Sequence, residues 1–148
     1  MNWKNFVEEN AKQLKHVKII TPKVDYDEKC KYYTLYDSNV YKNFGLDKLN
    51  IRNKIVHCEK DIKKDFHWDE DCWKLITCIS GKIEIEVIYV CDESSNYEKF
   101  ILDDESQQQI LIPPYHANSY KTLKDSIVNY QIFYSKNDFD LIKQYKYE

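Results

Sequence analysis

Residues 65–82, DFHWDEDCWKLITCISGK, set one histidine, His67, among the acids Asp65, Asp69, Glu70 and Asp71. Cys72 and Lys74 follow, and Gly81, one of only two glycines in the chain, closes the stretch. An imidazole that titrates near neutral pH can ligate a metal, carry a proton, or sit in a core with its nitrogens satisfied. A metal site needs three or four nitrogen, sulfur or carboxylate ligands converging on one point. Cysteine offers little toward such a set. Cys30, Cys58, Cys72, Cys78 and Cys91 are odd in number, scattered and free of any C-x-x-C pair. A disulfide framework or zinc knuckle is therefore not indicated, and reduced thiols are the plainer reading.

The elements around this stretch are short and β-like. In KIEIEVIYV, Ile83, Ile85, Val87 and Tyr89 alternate with Lys82, Glu84 and Glu86, a period of two. WKLITCI precedes it, and the Ser80-Gly81 junction between the two reads as a tight hairpin turn. YEKFIL, QQQILI and SIVNYQIFY add further strands, with turns at DESSN and Pro113-Pro114. DSNVYKNFGL has room for one helical turn. At the start, Trp3, Phe6, Val7, Ala11, Leu14 and Val17 fall at helical spacing, which predicts a short amphipathic helix over residues 1–16. Many short strands with regular turns predict an all-β sandwich or jelly-roll barrel with that helix as an edge decoration.

At 148 residues the chain is expected to be one domain, able to bury ~70% of its unfolded surface. Its 22 basic and 25 acidic residues are interleaved, for a net charge of −3, so no basic stripe points to nucleic acid. No apolar run approaches the length of a membrane span, and MNWKNFVEEN has no signal-peptide pattern. A soluble, cytoplasmic protein is the expectation.

Laid on these strands, residues 67–81 have the spacing H-x-H-x4-E-x6-G, the first motif of cupin jelly rolls. His67 takes its first position, Asp69 the second, and Lys74 the glutamate's, with six residues between it and Gly81. The second motif, P-x-G-x-x-H, falls on PPYHAN, where Asn118 replaces the histidine. A cupin (double-stranded β-helix) barrel is thus implied, but not its metal. One strong nitrogen ligand remains, and a lysine cation beside a divalent ion would be repelled. No metal and no other cofactor is expected.

From Val17 to about Tyr134 the chain resembles the dTDP-4-dehydrorhamnose 3,5-epimerase family, metal-free cupins that act on nucleotide sugars. VKIITPKVDYDEKC resembles the opening strand with its D-x-R-G element, Lys29 standing at the arginine. Lys64-Asp65-Phe66-His67 occupies the R-G-L-H segment, with Lys64 at its arginine, and QQQILIPPYHANSYKTL resembles the Q-x-x-I-P-x-G-F-x-[HN]-G-F-x-x-L run. WKLITC and the Asn after Ile-Pro-Pro resemble a branch acting on GDP- or dTDP-linked 4-keto sugars, heptoses included. Lysine at the arginine positions keeps the charge but not the bidentate fork.

The resemblance implies roles for particular residues. His67 would be the general base, Lys74 the electrostatic partner of an enolate, and Tyr130 the general acid on the opposite face. Asn118 would be a polar group near the sugar, and Lys64 and Lys29 would bind the diphosphate. Asp65 or Asp69 could orient the base. Such a set suits the chemistry, because a C–H beside a ketone is a weak acid. It needs a base near neutral pKa and a fixed positive group at the developing oxyanion. The implied activity is epimerisation of a nucleotide-linked 4-keto-6-deoxyhexose or 4-keto-heptose at C3, C5 or both, in surface-polysaccharide biosynthesis. Two other readings stay open: a catalytically silent sugar-binding cupin, and a 3,4-ketoisomerase. The resemblance also implies a homodimer formed through edge strands, with KYYTLY as the aromatic candidate. His57 and His116 read as structural or exposed, and Trp68 and Trp73 as packing.

Overall fold

A computed structural model describes residues 6–91, 97–135 and 143–145. Thirteen strands account for most of them. β1 (Phe6–Asn10), β2 (Lys18–Pro22), β3 (Asp25–Asp27) and β4 (Cys30–Tyr32) precede a short helix, α1 (Ser38–Tyr41), and two 3-10 turns. Then come β5 (Asn50–Cys58), β6 (Phe66–Trp68), β7 (Cys72–Ser80), β8 (Lys82–Tyr89) and β9 (Tyr97–Asp103). The last four are β10 (Gln109–Ile112), β11 (His116–Thr122), β12 (Ser126–Tyr134) and β13 (Lys143–Tyr145). One sheet has the order β1-β2-β10-β7-β12-β5 and a second β13-β6-β11-β8-β9, with β3 and β4 forming a separate hairpin. The two larger sheets make the jelly-roll barrel that the alternating pattern predicts.

The alternation decides which side chains fill it. Ile76 and Cys78 of β7 and Val128 of β12 face Ile83, Ile85 and Val87 of β8 and Phe100 and Leu102 of β9 in one buried cluster. The opposite parity of the first sheet, Leu75, Leu111 and Phe133, packs under Tyr41 and Leu46 of the helical segment. Asp37 caps α1 by accepting from the Asn39 N–H at 2.9 Å, so the expected helical turn forms here. Both faces of the first sheet are therefore committed over most of its width, and its strands cannot slip by one residue without exposing a core.

Two local expectations are corrected. The predicted N-terminal helix over residues 1–16 is not a helix where the structure describes it. Residues 1–5, Trp3 included, lie outside the described residues. Phe6–Asn10 is strand β1, paired antiparallel with β2 in the register Phe6↔Pro22 to Asn10↔Lys18. After it the chain turns tightly, with the Ala11 N–H donating to the Val17 carbonyl (3.0 Å) and Val17 to Leu14 (2.9 Å). The Glu98 carboxylate accepts from the N–H groups of Lys12, Gln13 and Leu14. Ala11, Leu14 and Val17 are all buried in the barrel core. Apolar residues three apart mimic a helix stripe, but here each looks inward from a turn, and sheet pairing outweighs local propensity.

The Ser80-Gly81 corner is likewise not a hairpin. β7 and β8 lie in different sheets, so the corner passes the chain from one to the other. Gly81 has φ +93, and a Cβ there would run into the Asp125 carbonyl oxygen and Ser126, so glycine is required by both backbone and space.

Candidate functional site

β12 and β7 carry the inward row that becomes polar at one end of the barrel. Val128 and Ile76 are core, but the next inward positions along each strand are Tyr130 and Lys74. Here the barrel opens into a cavity of about 580 Å³ between β5, β6, β7, β11 and β12. Its walls bring together five of the residues the sequence marks: His67, Lys74, Tyr130, Asn118 and Lys64. The sixth, Lys29, stands in the exposed turn between β3 and β4 and is not among the lining residues of its own chain's cavity.

Register fixes their mutual positions. His67 of β6 is paired with Asn118 of β11, and Tyr130 of β12 with Lys54 of β5. The Lys74 Nζ donates to Asn118 Oδ1 at 2.7 Å and to the His67 carbonyl at 3.2 Å. An ammonium has no acceptor, so Lys74 fixes the amide with its oxygen inward and its nitrogen toward the tyrosine. Asn118 Nδ2 accordingly donates to Tyr130 Oη at 2.9 Å. The phenol proton has two resting directions, the cavity and a longer 3.2 Å approach to Asn118 Oδ1, where Lys74 already donates. Asn118 is thus the hinge pin of the site, holding cation and phenol side by side.

Burial sets the charge states. Lys74 is 2% exposed, and desolvation pulls its ammonium down to about 8, with Cys72 and Asp69 opposing the fall. At pH 7, one unit lower, about nine-tenths of it is still cationic. The Tyr130 hydroxyl is pushed up by burial, against the Asn118 hydrogen bond, so it stays a phenol and can act only as an acid. His67, at the open cavity wall, is lowered from its usual 6.5 first by partial burial and then by Lys74 and Lys54, while Asp65 works the other way. A neutral imidazole, a cation and a neutral phenol therefore surround one cavity at pH 7. Together they can take a proton from carbon, hold an oxyanion, and return a proton from another side.

Asp65, named with Asp69 as an acid that could orient the base, also lines the cavity, as do Lys54 and His57, which the sequence did not mark as site residues. β5 is the sheet's edge and is exposed along most of its length, so no apolar alternation shows which of its charges turns inward. His116 is structural as expected, buried with Nδ1 at 2.9 Å from the Pro114 carbonyl and its ring on Tyr89. Trp73 packs near Phe44 and Trp68 near Tyr115, as expected of packing residues. Among the described residues, no three His, Cys, Asp or Glu side chains converge in a metal-holding group.

The model of the dTDP-4-dehydrorhamnose 3,5-epimerase family matches residues 11–144. No curated protein matches the chain in sequence. Among solved structures, the dTDP-4-dehydrorhamnose 3,5-epimerase of Sulfolobus tokodaii is similar at a TM-score of 0.83 and 21% identity, over 97% of this chain and 83% of that one. A dTDP-6-deoxy-D-glucose-3,5-epimerase from Legionella pneumophila, solved with dTDP-4-keto-L-rhamnose, has a TM-score of 0.80 and 16% identity over 96% and 78%. A 3'-monoepimerase from Streptomyces bikiniensis, solved with dTDP-quinovose, has a TM-score of 0.79 and 12% identity over 92% and 72%. At such identities the structures establish a shared fold, and the family model establishes descent.

Proposed function

Because the chain belongs to the dTDP-4-dehydrorhamnose 3,5-epimerase family, an enzyme family of the isomerase class, we propose that it epimerises a dTDP- or GDP-linked 4-keto-6-deoxyhexose or 4-keto-heptose. The centre inverted is C3, C5 or both, and the setting is cytoplasmic synthesis of a surface polysaccharide. The observation that carries this reading is the hydrogen-bonded set Lys74–Asn118–Tyr130 facing His67 across one cavity. His67 removes the proton beside the ketone, Lys74 stabilises the enolate oxygen, and Tyr130 supplies a proton to the other face of the ring. Lys64, at the exposed rim, meets the diphosphate as a point charge. The test is proton NMR of dTDP- and GDP-linked 4-keto sugars incubated with the protein, looking for inverted C3 or C5 centres. Binding of these sugars without inversion would replace this reading with a silent sugar-binding barrel.

The charge states give the activity a pH window. Below the lowered His67 pKa the base is protonated and idle, so the rate rises as pH climbs through that value. Above about 8 Lys74 loses its proton, and the oxyanion its partner, so the rate falls. A bell-shaped kcat/KM profile is expected, with its acid limb below pH 6.5 and its alkaline limb near pH 8. A rate flat from pH 7 to 9 would remove Lys74 from this role.

The protein is proposed to act as a homodimer, in which Lys29 serves a second copy's cavity. Both faces of the β3–β4 hairpin are exposed, Tyr26 at 73% and Tyr32 at 50%, and an isolated two-stranded hairpin is marginal in water. β5 offers an open edge beside the cavity, with Ile51 and Ile55 exposed. Sedimentation at micromolar concentration is expected to give twice the 18.0 kDa chain mass. A monomer would leave Lys29 without a role in binding.

A further inference from the structure

A net inversion leaves the cavity in a state it cannot reuse. His67 ends the turnover holding the proton taken from carbon. Tyr130 ends it as a phenolate, having given its own proton to the other face. Both must be reset before the next sugar reacts. His67 is exposed at the cavity wall and can pass its proton to water. Tyr130 is half-buried, and burial pushes its hydroxyl up, so its phenolate is a strong base that has to be reloaded by a donor.

Most of the groups around it cannot do this. Asn118 donates to Tyr130 Oη at 2.9 Å through an amide N–H, which does not ionise. Lys74 is 2% exposed and held on Asn118 Oδ1 at 2.7 Å, so a proton lent to Tyr130 would have no direct path back from solvent. Tyr120 is a buried phenol, its own hydroxyl raised by burial. Lys54 differs from all three. β5 pairs with β12 in the register Lys54↔Tyr130, so the two side chains project from the same face of the sheet into the same cavity. Directly opposed residues on adjacent strands have Cβ atoms about 5 Å apart, within reach for a lysine and a tyrosine. Lys54 is exposed and enters no ion pair among those of the described residues. Its nearness to the reacting centre shows also at His67, whose pKa is lowered by burial, by Lys74 and then by Lys54.

We infer that Lys54 is a proton relay between solvent and Tyr130. After each inversion its ammonium passes one proton to the Tyr130 phenolate, leaving a neutral phenol and a neutral amine, and water then returns a proton to the amine. The proton that His67 releases to water balances the one Lys54 takes up, so a turnover consumes none. Lys54 touches no reacting carbon and acts through Tyr130, so it governs repeated turnover rather than the first inversion. The relay rests on the epimerase reading with Tyr130 as the acid.

The test is rapid-quench inversion of dTDP- and GDP-linked 4-keto sugars, in excess over protein, by wild type, Lys54→Ala and Lys54→Arg. In Lys54→Ala a burst of about one inverted sugar per site is expected, then a steady state slower than wild type on the order of tenfold or more. Ethylamine is expected to restore that steady state, whereas tetramethylammonium, a cation with no proton to give, is not. Lys54→Arg keeps the charge but holds its proton, so it should show the same burst and slow turnover. Three results would overturn the relay while leaving the epimerase reading intact. Lys54→Ala could turn over within about twofold of wild type, or slow its first inversion as much as its later ones. Lys54→Arg could turn over like wild type, which would make Lys54 a fixed charge. A wild-type protein that inverts none of these sugars would overturn both readings together.

Discussion

His67→Asn is expected to abolish proton exchange on the keto sugar, by about 10³-fold or more, while leaving sugar binding within a few-fold. Asparagine keeps a polar side chain at the cavity wall but cannot accept a proton from carbon. His67 is exposed, and its backbone carbonyl, which Lys74 uses, survives the change. Folding should therefore be untouched, and the loss would be chemical. Tyr130→Phe supplies the contrast. It removes the far-face acid but not the base, so inversion should fall while exchange on the base's side persists. Solvent deuterium exchange and NMR of the product separate the two. Equal loss of exchange and inversion in Tyr130→Phe would argue that Tyr130 packs the barrel rather than donating a proton.

Lys74→Met should move activity and stability in opposite directions. Activity is expected to fall by about 10²–10³-fold, the usual cost of removing one oxyanion partner. Stability should hold or rise, because Lys74 is 2% exposed and the burial that drags it down to about 8 penalises its charged form. Methionine fills a similar volume without that penalty. Asn118 Oδ1, left by the ammonium, still has the Tyr130 hydroxyl at 3.2 Å as a donor. Thermal melts with kcat/KM measured in parallel read both signs. A variant that loses several degrees of Tm along with its activity would make Lys74 a structural residue.

What the sequence made legible follows from where the patterns are strong. The alternation of Ile83, Ile85 and Val87 predicted an inward row, and those residues fill the barrel. Spacing from His67 to Lys74 and Gly81, with Asn118 beyond, brought three side chains, His67, Lys74 and Asn118, to one cavity, because strand parity converts sequence distance into facing. Where tertiary context supplied the order, the sequence misled. Ala11, Leu14 and Val17 looked helical because a turn can bury every third residue, and Glu98, far along the chain, satisfies that turn's N–H groups. Lys54 was overlooked as a site residue for a different reason. An edge strand exposed along most of its length carries no local mark of which charge points inward. Lys29 was placed by resemblance alone, and its own chain leaves it on a hairpin away from the cavity.

The central claim is that this cavity moves a proton on the carbon next to a ketone. Mass spectrometry of dTDP- and GDP-linked 4-keto sugars incubated with the wild-type protein in deuterated water tests it most directly, since exchange needs only the base. Uptake of one or two deuterons confined to C3 and C5, dependent on protein and fastest between pH 7 and about 8, is the predicted result. Sugars that bind the protein yet emerge with no deuterium at either carbon would contradict it.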